Sequence, residues 1–364
     1  MDVAVVGGGV IGAACARAAA ARGLVARVFE PGLAPGAASP ASAGMLAAQI
    51  EPADAAQLAR SVRARDLYGA IAPALEDSTG IAIGLWRDGI ANLAFDDVAA
   101  TRLRDDVDRQ RRAGLRAVWL DADEVRRRWP GANAECRGAL FAPDDGAIDP
   151  EALTRALLAD ARRLGATVVP SRVAGVRTAR GRAEAVITAA ETVAARHVVL
   201  AAGAWSPLVA GVPRPLPVRP VRGQLAVTSW PAGTPPAILY YGHAYVLARG
   251  REAVLGSTME EAGFAADVTD DGQARIRQSA ITLLPAIADL PIRRAWAGLR
   301  PVTPDGLPIV GREPDVEGLW YATGHGRNGI LLAALTGEVM GDLLAEGSTG
   351  VDISSWRVDR FLGQ

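Results

Sequence analysis

The chain has 364 residues, a formal net charge of -1 and 50% hydrophobic residues, enough to bury a large core in two domains or one composite one. The near-zero charge gives no electrostatic case for nucleic acid or an anionic membrane surface, and no apolar run reaches the ~18 residues of a membrane span. Two cysteines, Cys15 and Cys136, exclude a disulfide-built fold, so a reduced, cytoplasmic protein is expected.

The sequence contains no lysine, so all 39 basic residues are arginine. An arginine therefore gains weight only from its context. Asp2 to Val6 predicts a strand of a parallel sheet, apolar on both faces. It begins so early that no signal peptide is expected. Gly7-Gly8-Gly9-Val10-Ile11-Gly12 then fits G-x-G-x-x-G. In that pattern Gly7 permits the tight turn, Gly9 lets backbone approach a pyrophosphate, and Gly12 lets helix and strand pack closely. The helix over Ile11 to Arg22, ended by Gly23, offers free N–H groups to the anion. Leu24 to Phe29 predicts a second strand closed by Glu30, with Pro31-Gly32 as punctuation. Glu30 suits ribose hydroxyls and disfavours a 2′-phosphate, so NADP is not expected. The stretch Ala34 to Gly44 is made of small residues, among them Ala38, Ser39 and Ala43, and suits a backbone lining a flat cofactor.

Helices are expected over Gln57 to Leu75 and Asp96 to Gly114. Asp121 to Glu124 resembles a capping box before a short helix stopped by Pro130. The arginine runs 109–112 and 126–128 are expected to be solvated faces. Asp149-Pro150-Glu151 starts a helix ended by Gly165. Thr167 to Val169 and Arg196 to Ala201 predict strands, with a hairpin or meander over Val173 to Thr188. The second of these strands runs into Ala202-Gly203 and a helix start, a pattern that favours FAD over NAD. Strand-like segments recur over 223–229, 237–248 and 253–257, followed by a helix near 271–284. The alternation predicts an α/β (α+β) fold in two discontinuous parts. A Rossmann-like FAD-binding domain would take about 1–80, 149–214 and 296–364. A substrate domain with an antiparallel sheet would take about 81–148 and 215–295.

The C-terminal part carries the remaining signals. Gly324-His325-Gly326-Arg327-Asn328-Gly329 precedes an apolar helix from Ile330 to Leu344. A helix N-terminus facing a flavin stabilises negative charge developing on the ring. Arg300, between Leu299 and Pro301, is expected to be buried and to need an anion, either a substrate carboxylate or a structural Asp or Glu. Arg327 is a second anion contact or a neighbour of the flavin. Alternation along Tyr240 to Tyr245 would put His243 and Tyr245 on one sheet face, lining a pocket or packing in the core. No metal-ligand spacing and no nucleophile elbow is present, and Ser206 lacks a partner pattern.

Taken together, Val5 to Gly12, Ala43 to Ala47, Ala201 to Trp205, His243 to Tyr245, Gly298 to Pro301 and Gly324 to Leu331 resemble the D-amino-acid oxidase-like flavoproteins, above all their glycine oxidase branch. The resemblance covers nearly the whole chain. It implies noncovalent FAD, lined by Val10, Ile11, Glu30, Pro31, Ala38, Ser39, Ala43, Gly44 and Met45, with Val173 at the adenine. It implies that His325, Gly326, Arg327, Asn328, Gly329, Ile330 and Leu331 border the ring system. Arg300 would bind the substrate carboxylate, assisted by Arg327 and Tyr245, with His243 and Met259 at the pocket mouth. The chain departs from the family pattern at Gly326, where a bulky residue is usual, which would widen or loosen the pocket. The implied reaction passes a hydride from the α-carbon of glycine, or of a small amine or D-amino acid, to flavin N5. Oxygen then yields hydrogen peroxide, and the imine serves thiamine thiazole synthesis. A homo-oligomer fits the same resemblance. Three readings stand beside it: a D-amino-acid dehydrogenase using a quinone, a sarcosine-type oxidase, and an FAD-binding scaffold without activity.

Overall fold

A computed structural model describes residues 1–32, 35–52 and 54–361 of the chain. Ala34, at the head of the small-residue loop, lies outside the described residues, as do positions 362–364 of the expected FAD-binding domain.

Two large sheets organise the molecule. The first has six strands in the order 309–312, 319–323, 197–200, 3–6, 26–29, 167–169. It is parallel throughout except for the edge strand Ile309–Arg312, which runs antiparallel to Leu319–Thr323. Val3–Val6 lies at its middle and is buried along its whole length, as a parallel strand covered on both faces must be. The helices Val10–Ala21, Ala55–Thr79, Pro150–Arg163 and Gly329–Glu346 pack together against this sheet. Small residues let them approach: a Cβ at Gly337 would lie 3.0 Å from the Ala14 carbonyl oxygen.

The second sheet has eight strands in the order 294–302, 219–229, 252–256, 244–249, 238–241, 90–94, 138–142, 118–121. It is antiparallel, as the sequence implies, except where Ile238–Tyr241 pairs with Ile90–Ala94 in parallel. There the two sequence-distant segments that build the sheet meet. Its last strand, Arg294–Val302, crosses the expected boundary at 296. The segment expected as one strand over 237–248 is a hairpin, broken by Gly242 at φ 60°. That turn takes His243 out of the strand and leaves Tyr245 within it, so the expected shared face does not form.

Helix ends follow local chemistry. Asp54, Asp96 and Asp149 accept N-terminal N–H groups, and Asp121 with Glu124 forms the expected capping box. The meander over 173–194 forms a separate three-stranded sheet. Among the described residues no helix is long and apolar enough to cross a membrane. Cys15 and Cys136 are buried free thiols in different core clusters.

Candidate active site

A cavity of about 800 Å³ runs between the two sheets. Its first wall is the turn after Val3–Val6. Gly7 has φ 103°, and a Cβ there would lie 2.6 Å from the Ala201 carbonyl oxygen. A Cβ at Gly12 would lie 1.9 Å from the Gly7 carbonyl oxygen, so Gly12 serves helix–turn packing and does not itself line the cavity. Gly8 N–H donates to Glu30 Oε2 (2.7 Å) and Gly32 N–H to Glu30 Oε1 (3.1 Å), which fixes the carboxylate on the cavity wall. Val10 N–H donates to Ser39 Oγ (2.9 Å), tying the helix start to the small-residue loop.

That loop forms a short helix, Ala38–Ala41, pressed onto the strand Arg294–Val302. A Cβ at Gly298 would lie 2.4 Å from the Ala41 Cβ, Trp296 Nε1–H donates to the Ala41 carbonyl (3.0 Å), and Leu299 N–H donates to the Gly36 carbonyl (2.8 Å). Pro31, Ala38, Ser39, Ala43, Met45, Val173 and Gly203 line the cavity. Gly44 does not. It packs where a Cβ would meet the Ile148 carbonyl oxygen at 1.9 Å.

The second helix N-terminus at the cavity is that of Gly329–Glu346. Asn328, Gly329 and Ile330 line the wall, while Leu331 is buried in the helical core. Neither this helix nor Val10–Ala21 has a side-chain cap of its own or an acidic residue in its first turn. Two positive helix ends thus face one cavity, an arrangement that favours anionic or electron-rich groups. Gly326 lines the cavity at φ 53°, a conformation glycine favours, and a Cβ there would meet nothing within 4 Å. His325 is buried. Its Nε2 contacts Thr336 Oγ1 (3.0 Å) and its Nδ1 has no partner among the described residues. Burial pushes the imidazole down to about 3, so it is neutral at ordinary pH.

At the far end stand two arginines in different electrostatic states. Arg300 projects over Gly223, where a Cβ would lie 1.8 Å from its Nη1. Its Nη1 donates to the Thr258 carbonyl (2.9 Å) and its Nη2 to Ser257 Oγ (2.8 Å). Those two bonds leave donors of the fork unused. No carboxylate among the described residues pairs with Arg300, and burial pulls its guanidinium below the ordinary value. The structural Asp or Glu that sequence reasoning allowed is absent among the described residues. Tyr245 is buried beside it, over Gly256, where a Cβ would lie 2.4 Å from the Tyr245 hydroxyl. Arg327 is paired: its Nη2 is 2.7 Å from Glu51 Oε1, and its Nη1 is 2.5 Å from His243 Nδ1. Burial works to depress Arg327, but Glu51 and Tyr240 outweigh it and hold the guanidinium above its ordinary value.

His243 and Met259 sit apart from the wall. His243 is exposed and reaches the site only through Arg327. Met259 is 44% exposed in the loop after Glu252–Gly256 and does not line the cavity. Sequence reasoning missed Glu51, Ser257 and Thr258, which carry no pattern of their own. Gly223 could have been found, because a glycine inside a strand marks close approach by another group.

The residues present fit a flavin dinucleotide. Glycines clear the turn, a carboxylate stands at the end of the second strand, two helix N-termini point inward, and a buried imidazole nitrogen lacks a partner. Comparison with known proteins agrees. The FAD dependent oxidoreductase family matches residues 2–343. Glycine oxidase of Bacillus licheniformis is 36% identical over 352 residues, 94% of this chain and 92% of that one. The crystal structure of glycine oxidase from Geobacillus kaustophilus superposes with a TM-score of 0.93 at 32% identity, covering 100% of this chain and 99% of that one. The bifunctional protein ThiO/ThiG of Trichormus variabilis is 34% identical over 100% of this chain, which spans 55% of that relative's length. The chain belongs to the FAD-dependent oxidoreductase family.

Proposed function

We propose that this enzyme oxidises the carbon–nitrogen bond of glycine, or of another small amine or D-amino acid, with oxygen as acceptor. The products are glyoxylate or an α-keto acid, ammonia and hydrogen peroxide. The observation that carries this reading is Arg300, a largely desolvated cation on the cavity wall without a carboxylate partner among the described residues. A substrate carboxylate supplies the missing charge and matches the planar fork. Tyr245, buried beside it, gives a hydroxyl for the same group.

FAD, held along the glycine turn, Glu30 and the two helix N-termini, would supply an acceptor for the substrate's hydride and a relay of its electrons to oxygen. The protein's part is to bind and orient. Arg300 and Tyr245 hold the carboxylate so that the α-carbon faces the ring, which converts the step into an effectively unimolecular one. The helix N-terminus at Gly329 stabilises charge that develops on the ring. No side chain needs to remove a proton, because the amine binds in its neutral form and the hydrogen on its α-carbon leaves as hydride. The buried imidazole of His325 is neutral and adds no competing cation.

Glycine oxidases among the relatives, and the ThiO half of ThiO/ThiG, support placing the product imine on the route to thiamine thiazole. We place the reaction in the cytoplasm, in line with two buried free thiols. The test is anaerobic addition of glycine, sarcosine or D-alanine to the yellow holoenzyme. Bleaching of the flavin band, reversed by air with peroxide formed, is expected. A flavin that none of the three bleaches contradicts the reading.

A further inference from the structure

The substrate end of the cavity holds two guanidiniums, and only Arg327 is neutralised by the protein. Its partner Glu51 lines the same cavity, and the two side chains are equally exposed, at 19% each. Tyr240 completes the cluster, donating its hydroxyl to Glu51 Oε1 (2.5 Å) and accepting from Arg327 Nη2 (3.4 Å). The pair is thus net neutral, the Arg327 charge being compensated within the protein. Arg300, by contrast, is left free to take an anion.

Glu51 is also held firmly in place. Two residues earlier, buried Gln49 donates its N–H to Asp145 Oδ2 (2.9 Å) and its Nε2 to Gln110 Oε1 (2.8 Å), and its Oε1 accepts from Arg65 Nη1 (2.6 Å). Arg65 itself pairs with Asp145 (2.9 Å), and both are out of water. A loop pinned this way presents Glu51 to the cavity in one position.

We propose that Glu51 sets the charge selectivity of the site, admitting amines with one carboxylate and rejecting those with two. This rests on the reading that Arg300 binds the first carboxylate. A second carboxylate entering the same chamber meets Arg327 already compensated and the Glu51 charge beside it. In a partly desolvated cavity such like-charge approach is costly. Specificity here comes from a repulsive element as much as from an attractive one. Removing the Glu51 charge frees Arg327 and turns the chamber into a site for a dicarboxylic amine.

Sarcosine and iminodiacetate isolate the effect, since both are N-substituted glycines that differ in one added carboxylate. The measurement is the ratio of kcat/KM for iminodiacetate over sarcosine in the wild type, Glu51→Gln, Glu51→Asp and the double variant Glu51→Gln with Arg327→Met. FAD content confirms that each holoenzyme is folded. The ratio should rise at least tenfold in Glu51→Gln, equal to about 1.4 kcal/mol. It should stay near the wild-type value in Glu51→Asp and return towards it in the double variant. A merely structural role would lower both substrates together and leave the ratio unmoved, which overturns the proposal. Equal gains in Glu51→Gln and the double variant also overturn it, because Arg327 would then not be the group released. A wild type that neither glycine nor sarcosine reduces brings down the functional reading and this inference with it. Reduction by these substrates with an unmoved ratio brings down the inference alone.

Discussion

At the end of the cavity we assign to the dinucleotide, the wall is backbone from one short stretch of sequence. At the end we assign to the substrate, it is side chains gathered from distant strands. Gly7 to Gly12 and Glu30 belong to a single βαβ unit, and their geometry follows from glycine sterics and a helix end. Arg300, Tyr245, Ser257 and Gly223 meet because Arg219–Ser229 pairs with both Arg294–Val302 and Glu252–Gly256, and Glu252–Gly256 pairs in turn with Ala244–Arg249. Glu51 and Arg327 arrive from two further segments. The first end tolerates little change in shape, and the second little change in charge. The strand Arg294–Val302 joins them, carrying Ala38–Ala41 at Gly298 and Arg300 two residues later.

Substitutions should separate the two ends. The largest effect is expected at the backbone end. Gly12→Val places a side chain 1.9 Å from a carbonyl oxygen that cannot move without breaking the turn. Overpacking there costs on the order of 3 kcal/mol or more. The protein should purify without its flavin absorbance or fail to fold. Gly223→Ala pushes instead on the guanidinium end of the Arg300 side chain. It should lower kcat/KM for glycine by about 100-fold, roughly 3 kcal/mol, while FAD content and melting temperature change little. Equal losses of cofactor in both variants would erase the distinction.

His325 gives an effect that depends on pH. Its folded-state value lies near 3, below the ordinary 6.5. The unfolded chain therefore binds a proton that the folded one refuses. Stability is unaffected by this group above pH 6.5 and is lost as pH falls toward 3, by on the order of 5 kcal/mol at the low end. His325→Gln should flatten that acid limb in thermal melts between pH 6.5 and 4. An unchanged slope would mean that other groups set it. The smallest effect is expected from Ser39→Ala, which removes the acceptor for Val10 N–H. FAD affinity should fall about fivefold, within the ~1 kcal/mol of a single hydrogen bond, and substrate preference should not change.

The difference between the two ends also explains what was legible in the sequence. The glycine pattern, Glu30 and the caps at Asp121 and Asp149 depend on neighbours a few residues away, so residue order reveals them. Arg300 was legible as a cation in an apolar setting, but whether a carboxylate met it depended on strands far away in sequence. Arg327, expected as a second anion contact or a neighbour of the flavin, meets its anion within the protein, at Glu51. Glu51 left no trace because nothing around it in sequence implies a cavity. His243 and Tyr245 were joined by alternation, and Gly242 undid that by turning the chain between two strands.

The central claim is that Arg300 binds a carboxylate and so holds the α-carbon against the flavin. The most direct measurement is the anaerobic rate of flavin reduction in wild-type and Arg300→Met holoenzyme, with glycine and with glycine ethyl ester, which lacks the charge. Loss of the cation should cut the second-order rate constant for glycine by about 1,000-fold, roughly 4 kcal/mol, and change that for the ester by less than about threefold. A variant that reduces with glycine as fast as the wild type, or that loses both substrates equally, would contradict the account.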